Sequence, residues 1–129
     1  MWLRDQLRED SDRKFIIGCH VYSGARYNSY KMWNDEATNV YVGLVEEFRD
    51  RIIVELAGHD HFASLRTHKR GEGDYFHNLF VAPSITAWYD NNPGVSSFSI
   101  NSELEAVKLR STFLNLKPTI GHKKSLPLN

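Results

Sequence analysis

The chain has 129 residues, enough for one domain or part of one, and its 41% apolar and 12% aromatic content excludes a disordered chain. Lys+Arg equals Asp+Glu at 16 each, so the formal net charge is zero and the basic stripe of a nucleic-acid binder is missing; His68-Lys69-Arg70, the nearest candidate, reads as a solvated loop. A single cysteine, Cys19, excludes an intrachain disulfide and a four-cysteine zinc site, no apolar run reaches the ~18 residues of a spanning helix, and the charged Met1–Asp5 start is unlike a signal peptide, which leaves localisation open.

Trp2 to Glu9 is predicted as an amphipathic helix, with Leu3 and Leu7 on one face. It starts at residue 1 with no cap, as a chain entering mid-helix would. Phe15-Ile16-Ile17, ending at Gly18, predicts a buried strand that pairs in parallel, since nothing alternates. His20 to Asn34 is loop. Thr38 to Arg51 is predicted helical from Tyr41, Leu44, Val45 and Phe48 at 3.6-type spacing. Ile52 to Leu56 predicts a second buried strand that runs into Ala57-Gly58-His59-Asp60-His61. Helix, strand, helix, strand in this order implies an α/β sheet with crossovers.

The second half changes character. Tyr75 to Ala82 predicts a strand broken by Pro83-Ser84-Ile85-Thr86. Asp90-Asn91-Asn92-Pro93-Gly94 is a dense turn signal. Val95 to Asn101 alternates as a half-exposed strand does, and Val107 to Leu116 predicts another. Strands joined by turns point to a mixed sheet. The segment 117–129 has two prolines and no periodicity and is expected to be a loose tail.

Three of the six histidines sit where strands end: His20, His59 and His61. Functional groups in α/β sheets collect at the carboxyl ends of strands. Gly58 is expected to let the backbone turn sharply there. Two imidazoles one residue apart can serve a metal of the Zn, Fe or Mn class, and can equally be surface or satisfied core residues. His68, His77 and His122 have no such context. The stretch after His61, Phe62-Ala63-Ser64-Leu65-Arg66, lacks the Asp-His pair of a metallo-β-lactamase and the glutamate of a cupin. An amidohydrolase barrel needs about 250 residues.

Gly58-His59-Asp60-His61 resembles the GHxH motif of the calcineurin-like metallophosphoesterases. Ile17-Gly18-Cys19-His20-Val21-Tyr22-Ser23-Gly24 resembles the preceding histidine motif, which reads GHIPPG in the acid-sphingomyelinase-like branch. Val81-Ala82-Pro83-Ser84-Ile85-Thr86 with Asn92-Pro93-Gly94 is similar to that branch's segment after GHxH, and Trp2-Leu3-Arg4-Asp5-Gln6-Leu7 to the helix before the histidine strand. The resemblance runs over residues 1 to 116 in order. It departs at Cys19, an insertion or register change, and at Tyr22-Ser23, which replace two prolines.

The resemblance implies the C-terminal half of an α/β/β/α sandwich with a mixed sheet, covering residues 1–116. It implies a dinuclear metal site in which His20 and His59 ligate one ion and His61 the other. It implies a phosphodiester substrate attacked by a metal-bound hydroxide. The family's DxH, GDxxD and GNHE motifs are not in the chain, so the site is expected to be incomplete and inactive without an N-terminal half. Sheet edges left open are expected to need a protein partner. The other reading is a non-catalytic interaction subunit, whose surface would be Tyr22, Tyr27, Tyr30, Trp33, Trp88 and Tyr89. Asp35, Glu36 and Asp90 read as surface charge.

Overall fold

A computed structural model describes residues 2–116 except 10, 27, 71 and 73; the tail, His122 and Tyr27 lie outside the described residues. The architecture is α/β with a mixed sheet. Helices α1 (Trp2–Arg8) and α2 (Asp35–Glu47) accompany strands β1 (Phe15–Gly18), β2 (Ile52–Ala57), β3 (Ser64–Arg70), β4 (Asp74–Val81), β5 (Gly94–Ile100) and β6 (Ala106–Phe113). Strands β1, β2 and β4 run parallel, β3 closes the sheet antiparallel to β4, and the order is β1-β2-β4-β3. Strands β5 and β6 form a separate antiparallel pair. No helix among the described residues is long and apolar enough to cross a membrane.

Two sequence expectations are corrected here. Helix α2 begins at Asp35, three residues before the expected start at Thr38. The Asn34 side chain accepts from the Ala37 amide at 2.7 Å, and Asp35 and Glu36 in the first turn suit the positive end of the helix dipole. The helix ends at Glu47, and a 3-10 turn, Arg49–Arg51, leads into β2. The second correction is β3: His68-Lys69-Arg70 is strand, not solvated loop, and His68 pairs with His77 across the ladder. The other elements match their expected positions to within a few residues.

The core explains the layering. Leu7, Leu44, Val45 and Ile52 are buried together, with Leu3, Phe15, Ile17, Tyr41, Phe48 and Phe76 packed on them. Each fully buried aliphatic side chain contributes about 1.5–3 kcal/mol. This cluster fastens both helices to the sheet, and Arg4 and Arg8 bridge to Glu47 at 3.2 and 3.0 Å along its margin. A second cluster, Tyr22, Ala57, Leu79 and Val81, lies toward the carboxyl ends of the parallel strands.

The β5–β6 pair is far more open. Val54, Leu56 and Phe80 of the sheet share a cavity of about 210 Å³ with Phe98 and Leu109 of the pair. Val95, Val107 and Phe113 remain more than half exposed. A Cβ at Gly94 would meet the Phe113 ring at 2.7 Å, so a larger residue there would have to displace that ring.

Candidate functional site

The parallel pairing of β1 with β2 continues beyond the strands. Gly18 lies opposite Leu56. Past them, the Cys19 amide donates to the Leu56 carbonyl at 2.9 Å and the Gly58 amide to the His20 carbonyl at 3.0 Å. The ladder therefore carries His20 and His59 forward side by side. His59 Nδ1 and His20 Nε2 stand 3.3 Å apart, with the rings edge to face and centroids 5.2 Å apart.

The two ring nitrogens are within hydrogen-bond distance, one donating to the other according to tautomer. Two imidazole nitrogens at ~2.0–2.1 Å from one tetrahedral ion lie about 3.3–3.4 Å apart. The 3.3 Å separation equals that distance as well.

His61 lines the same cavity but is not part of the pair. The cavity measures about 450 Å³ and is lined by His20, Arg26, His59, His61, Thr86, Trp88 and Tyr89. Among the described residues no group of three His, Cys, Asp or Glu side chains is arranged to hold a metal. The His61 ring lies 5.6 Å from the Tyr89 ring, and its Nδ1 is buried without a hydrogen-bond partner. Its carbonyl accepts from the Ser84 amide at 3.2 Å and the Asn91 side chain at 3.1 Å, which ties the residue 84–91 loop to the site.

The sharp turn does not fall on Gly58. His59 (φ 74°) and His61 (φ 66°) are left-handed instead, as are Tyr89 (φ 62°) and Asp90 (φ 58°). A Cβ at Gly58 would sit 3.5 Å from His20 Nδ1, an ordinary contact. Left-handed non-glycine residues cost of order 1–3 kcal/mol each and persist where surroundings over-determine them.

What over-determines this turn is Asp60, a residue to which sequence alone assigns no role. Asp60 is 5% exposed. It accepts from the Tyr22 hydroxyl and forms an ion pair with Arg26, Nε to Oδ1 2.6 Å. The Arg26 contact is not aligned as a hydrogen bond, so its strength is electrostatic. Arg66 lies over the Tyr22 ring at 4.4 Å and also donates to the Tyr22 hydroxyl at 3.3 Å. Burial, with the bond to Asp60 adding to it, pushes the Tyr22 phenol up to about 12. Tyr22 is fully buried, so it is not part of an exposed aromatic surface; Tyr30, Trp88 and Tyr89 are exposed and Trp33 is half-buried. Asp35, Glu36 and Asp90 are exposed, as expected of surface charge.

A second cluster lies inside the sheet. Glu55 has no exposed surface, accepts from the Tyr41 hydroxyl at 2.5 Å, and faces His68 Nε2 at 2.8 Å and His77 Nε2 at 3.6 Å. The His68 and His77 rings stack, with centroids 6.4 Å apart. Burial lowers the His77 pKa, with Glu55 opposing the shift and His68 adding to it. Burial and then Glu55 raise the Cys19 thiol, and burial and then Glu55 raise the Tyr41 phenol. A charged residue in the middle of Ile52-Ile53-Val54-Glu55-Leu56 was the signal that could have revealed this group.

A scan of protein-family models finds none that matches the chain, and a search of curated proteins finds no match.

Proposed function

We propose that the chain carries the histidine side of a divalent-metal site in a phosphoester hydrolase of the calcineurin-like type, with the acid-sphingomyelinase-like branch as its nearest pattern. The observation behind this reading is the 3.3 Å nitrogen spacing of His20 and His59 at the ends of neighbouring parallel strands. In this reading His20 and His59 hold one ion and His61 serves a second. The ions are of the Zn, Fe or Mn class, which imidazole suits. A bound ion supplies Lewis acidity toward a phosphoryl oxygen and lowers the pKa of water. The chain's own residues do the rest: His20 and His59 present ring nitrogens at a spacing set by the backbone ladder, and Trp88 and Tyr89 line one side of the cavity.

The acidic ligands are the missing part. Three neutral imidazoles cannot offset two dications in a partly buried site. The reading therefore gives the chain no turnover alone, and has DxH, GDxxD and GNHE motifs supplied by an N-terminal half. The α/β/β/α sandwich belongs to this proposal, with β5 and β6 in its second sheet.

Titration with Co²⁺, followed by absorbance, tests it. His20→Ala and His59→Ala each weaken binding about tenfold or more. The 129-residue chain shows no metal-dependent rate on a chromogenic phosphodiester, and a rate appears when a separately made first half is added. Unchanged Co²⁺ affinity in both variants removes the metal reading, and turnover by the chain alone removes the claim of incompleteness.

A non-catalytic interaction subunit is the second reading. It is favoured by the exposed Val95, Val107 and Phe113 on the β5–β6 pair and by the outer edge of β1, which has no neighbouring strand among the described residues. A chain that is monodisperse and binds no apolar dye counts against it.

A further inference from the structure

We infer that β3 is an acid-released latch: as pH falls, His68 and His77 come to hold more positive charge than the buried Glu55 can offset, and the strand parts from the edge of the sheet before the rest of the fold does. The first ground is how β3 is attached. It is an edge strand, paired among the described residues with β4 alone. None of its described side chains is a buried apolar one; Leu65 is exposed, and Arg66 and His68 are half-buried. Its contacts beyond β4 on that face are polar: Arg66 donates to the Tyr22 hydroxyl and the Ala25 carbonyl, and His68 meets Glu55. The register also shifts between His68 and Lys69, and such an irregularity locally disrupts a ladder. A strand held in this way belongs to the low-stability end of local opening.

The second ground is charge. Glu55 Oε1 lies 2.8 Å from His68 Nε2 and 3.6 Å from His77 Nε2, and His77 Nε2 is buried without a hydrogen-bond partner. The other groups that face this carboxylate are Tyr41 of α2 and Cys19 just past β1. Burial, then Glu55, raises both of them, so both stay neutral on acidification. One imidazolium offsets Glu55. A second has no anion of its own, since Glu55 is the only carboxylate that pairs with either ring among the described residues. The two rings are stacked across the ladder, so a second proton sets like charges opposite each other, away from water. Burial lowers the His77 pKa, and parting β3 from β4 lets water reach that ring, so the released strand pair takes up the proton more readily than the closed one.

The third ground is what leaves with the strand. The Arg66 guanidinium covers the Tyr22 ring at 4.4 Å and donates to its hydroxyl, and Tyr22 donates to Asp60, which lies between His59 and His61. The latch therefore carries acidity to the turn that displays those two rings. It is measured with no metal present, so it and the metal reading can fail separately.

Hydrogen–deuterium exchange of the 129-residue chain at about pH 7.5 and about pH 5.5, corrected for the intrinsic pH dependence of exchange, is the test. One proton taken up only by the released strand pair, at an imidazole of ordinary pKa ~6.5, shifts the opening equilibrium about tenfold over that interval. The β3 amides are expected to lose protection about threefold to tenfold, and the β2 amides none. His77→Phe keeps a ring in the stack, removes its titration and abolishes the loss. His68→Gln leaves His77 alone beside Glu55, where the carboxylate matches its proton, and acid no longer loosens β3. Lys69→Gln, on the same strand but outside the cluster, behaves as the parent. Should circular dichroism show His77→Phe unfolded, His68→Gln decides the same question. The inference is overturned if β3 keeps its protection in the acid sample of the parent, if β2 loses protection together with it, or if a folded His77→Phe or His68→Gln retains the parent's acid response.

Discussion

Two histidine pairs in this molecule live under opposite conditions. His20 and His59 stand exposed at the mouth of a cavity, 3.3 Å apart, with no carboxylate among the described residues that line it. His68 and His77 lie inside the sheet, 10% and 7% exposed, ring over ring against the buried Glu55. In the interior, an imidazole nitrogen is spent on compensating a carboxylate that water cannot reach. At the mouth, two exposed rings meet only each other across 3.3 Å, and His59 takes a left-handed backbone conformation.

The largest effect should come from the interior. Glu55→Ala strands the Tyr41 hydroxyl and His68 Nε2, and breaking such a buried group costs about 3–5 kcal/mol, read as a lower urea midpoint. If Glu55→Ala and His59→Ala are equally stable, the contrast between the pairs is wrong. Next in size, His59→Ala weakens Co²⁺ binding about tenfold or more yet changes stability by no more than about 0.5 kcal/mol, as surface changes do.

A third experiment uses protons. The His77 pKa lies below its ordinary 6.5 in the folded chain. The unfolded chain therefore binds more protons than the native one below that value, so the His77 contribution is full above pH 6.5 and fades as pH falls toward the depressed value. The urea midpoint should decline on acidification, and His77→Phe should flatten that decline. An unchanged slope in the variant would assign the acid sensitivity elsewhere. The smallest effect is relief of strain: His61→Gly should raise stability by roughly 1 kcal/mol, because glycine accepts a positive φ freely. A loss of stability instead would mean that the ring is held by more than its backbone.

Much of the sheet was legible because its parallel strands are continuous apolar runs. Ile16, Val54 and Phe80 lie in such runs, and each run became a strand. Strand β3 was not legible. Ser64-Leu65-Arg66-Thr67-His68-Lys69-Arg70 has polar residues on both faces, because its inward face meets the Tyr22 ring and Glu55 rather than an apolar layer. The start of α2 was written in Asn34-Asp35-Glu36, but apolar spacing alone points to Thr38. At the site, the meeting of His20 with His59 followed from their places at strand ends. Asp60 was hidden by its own neighbours: between two histidines it reads as a spacer, and only tertiary structure brings Tyr22 and Arg26 to it.

The hydrogen bonds that run past Gly18 and Leu56 turn the candidate ligand pair into a gauge of strand alignment. A slip of one residue between β1 and β2 would move one ring about 3.3 Å along the strand and undo the match to a single ion. An ion seated there would act as a clasp that closes only on the correctly assembled sheet, so adding metal should raise the melting temperature in proportion to the logarithm of its concentration.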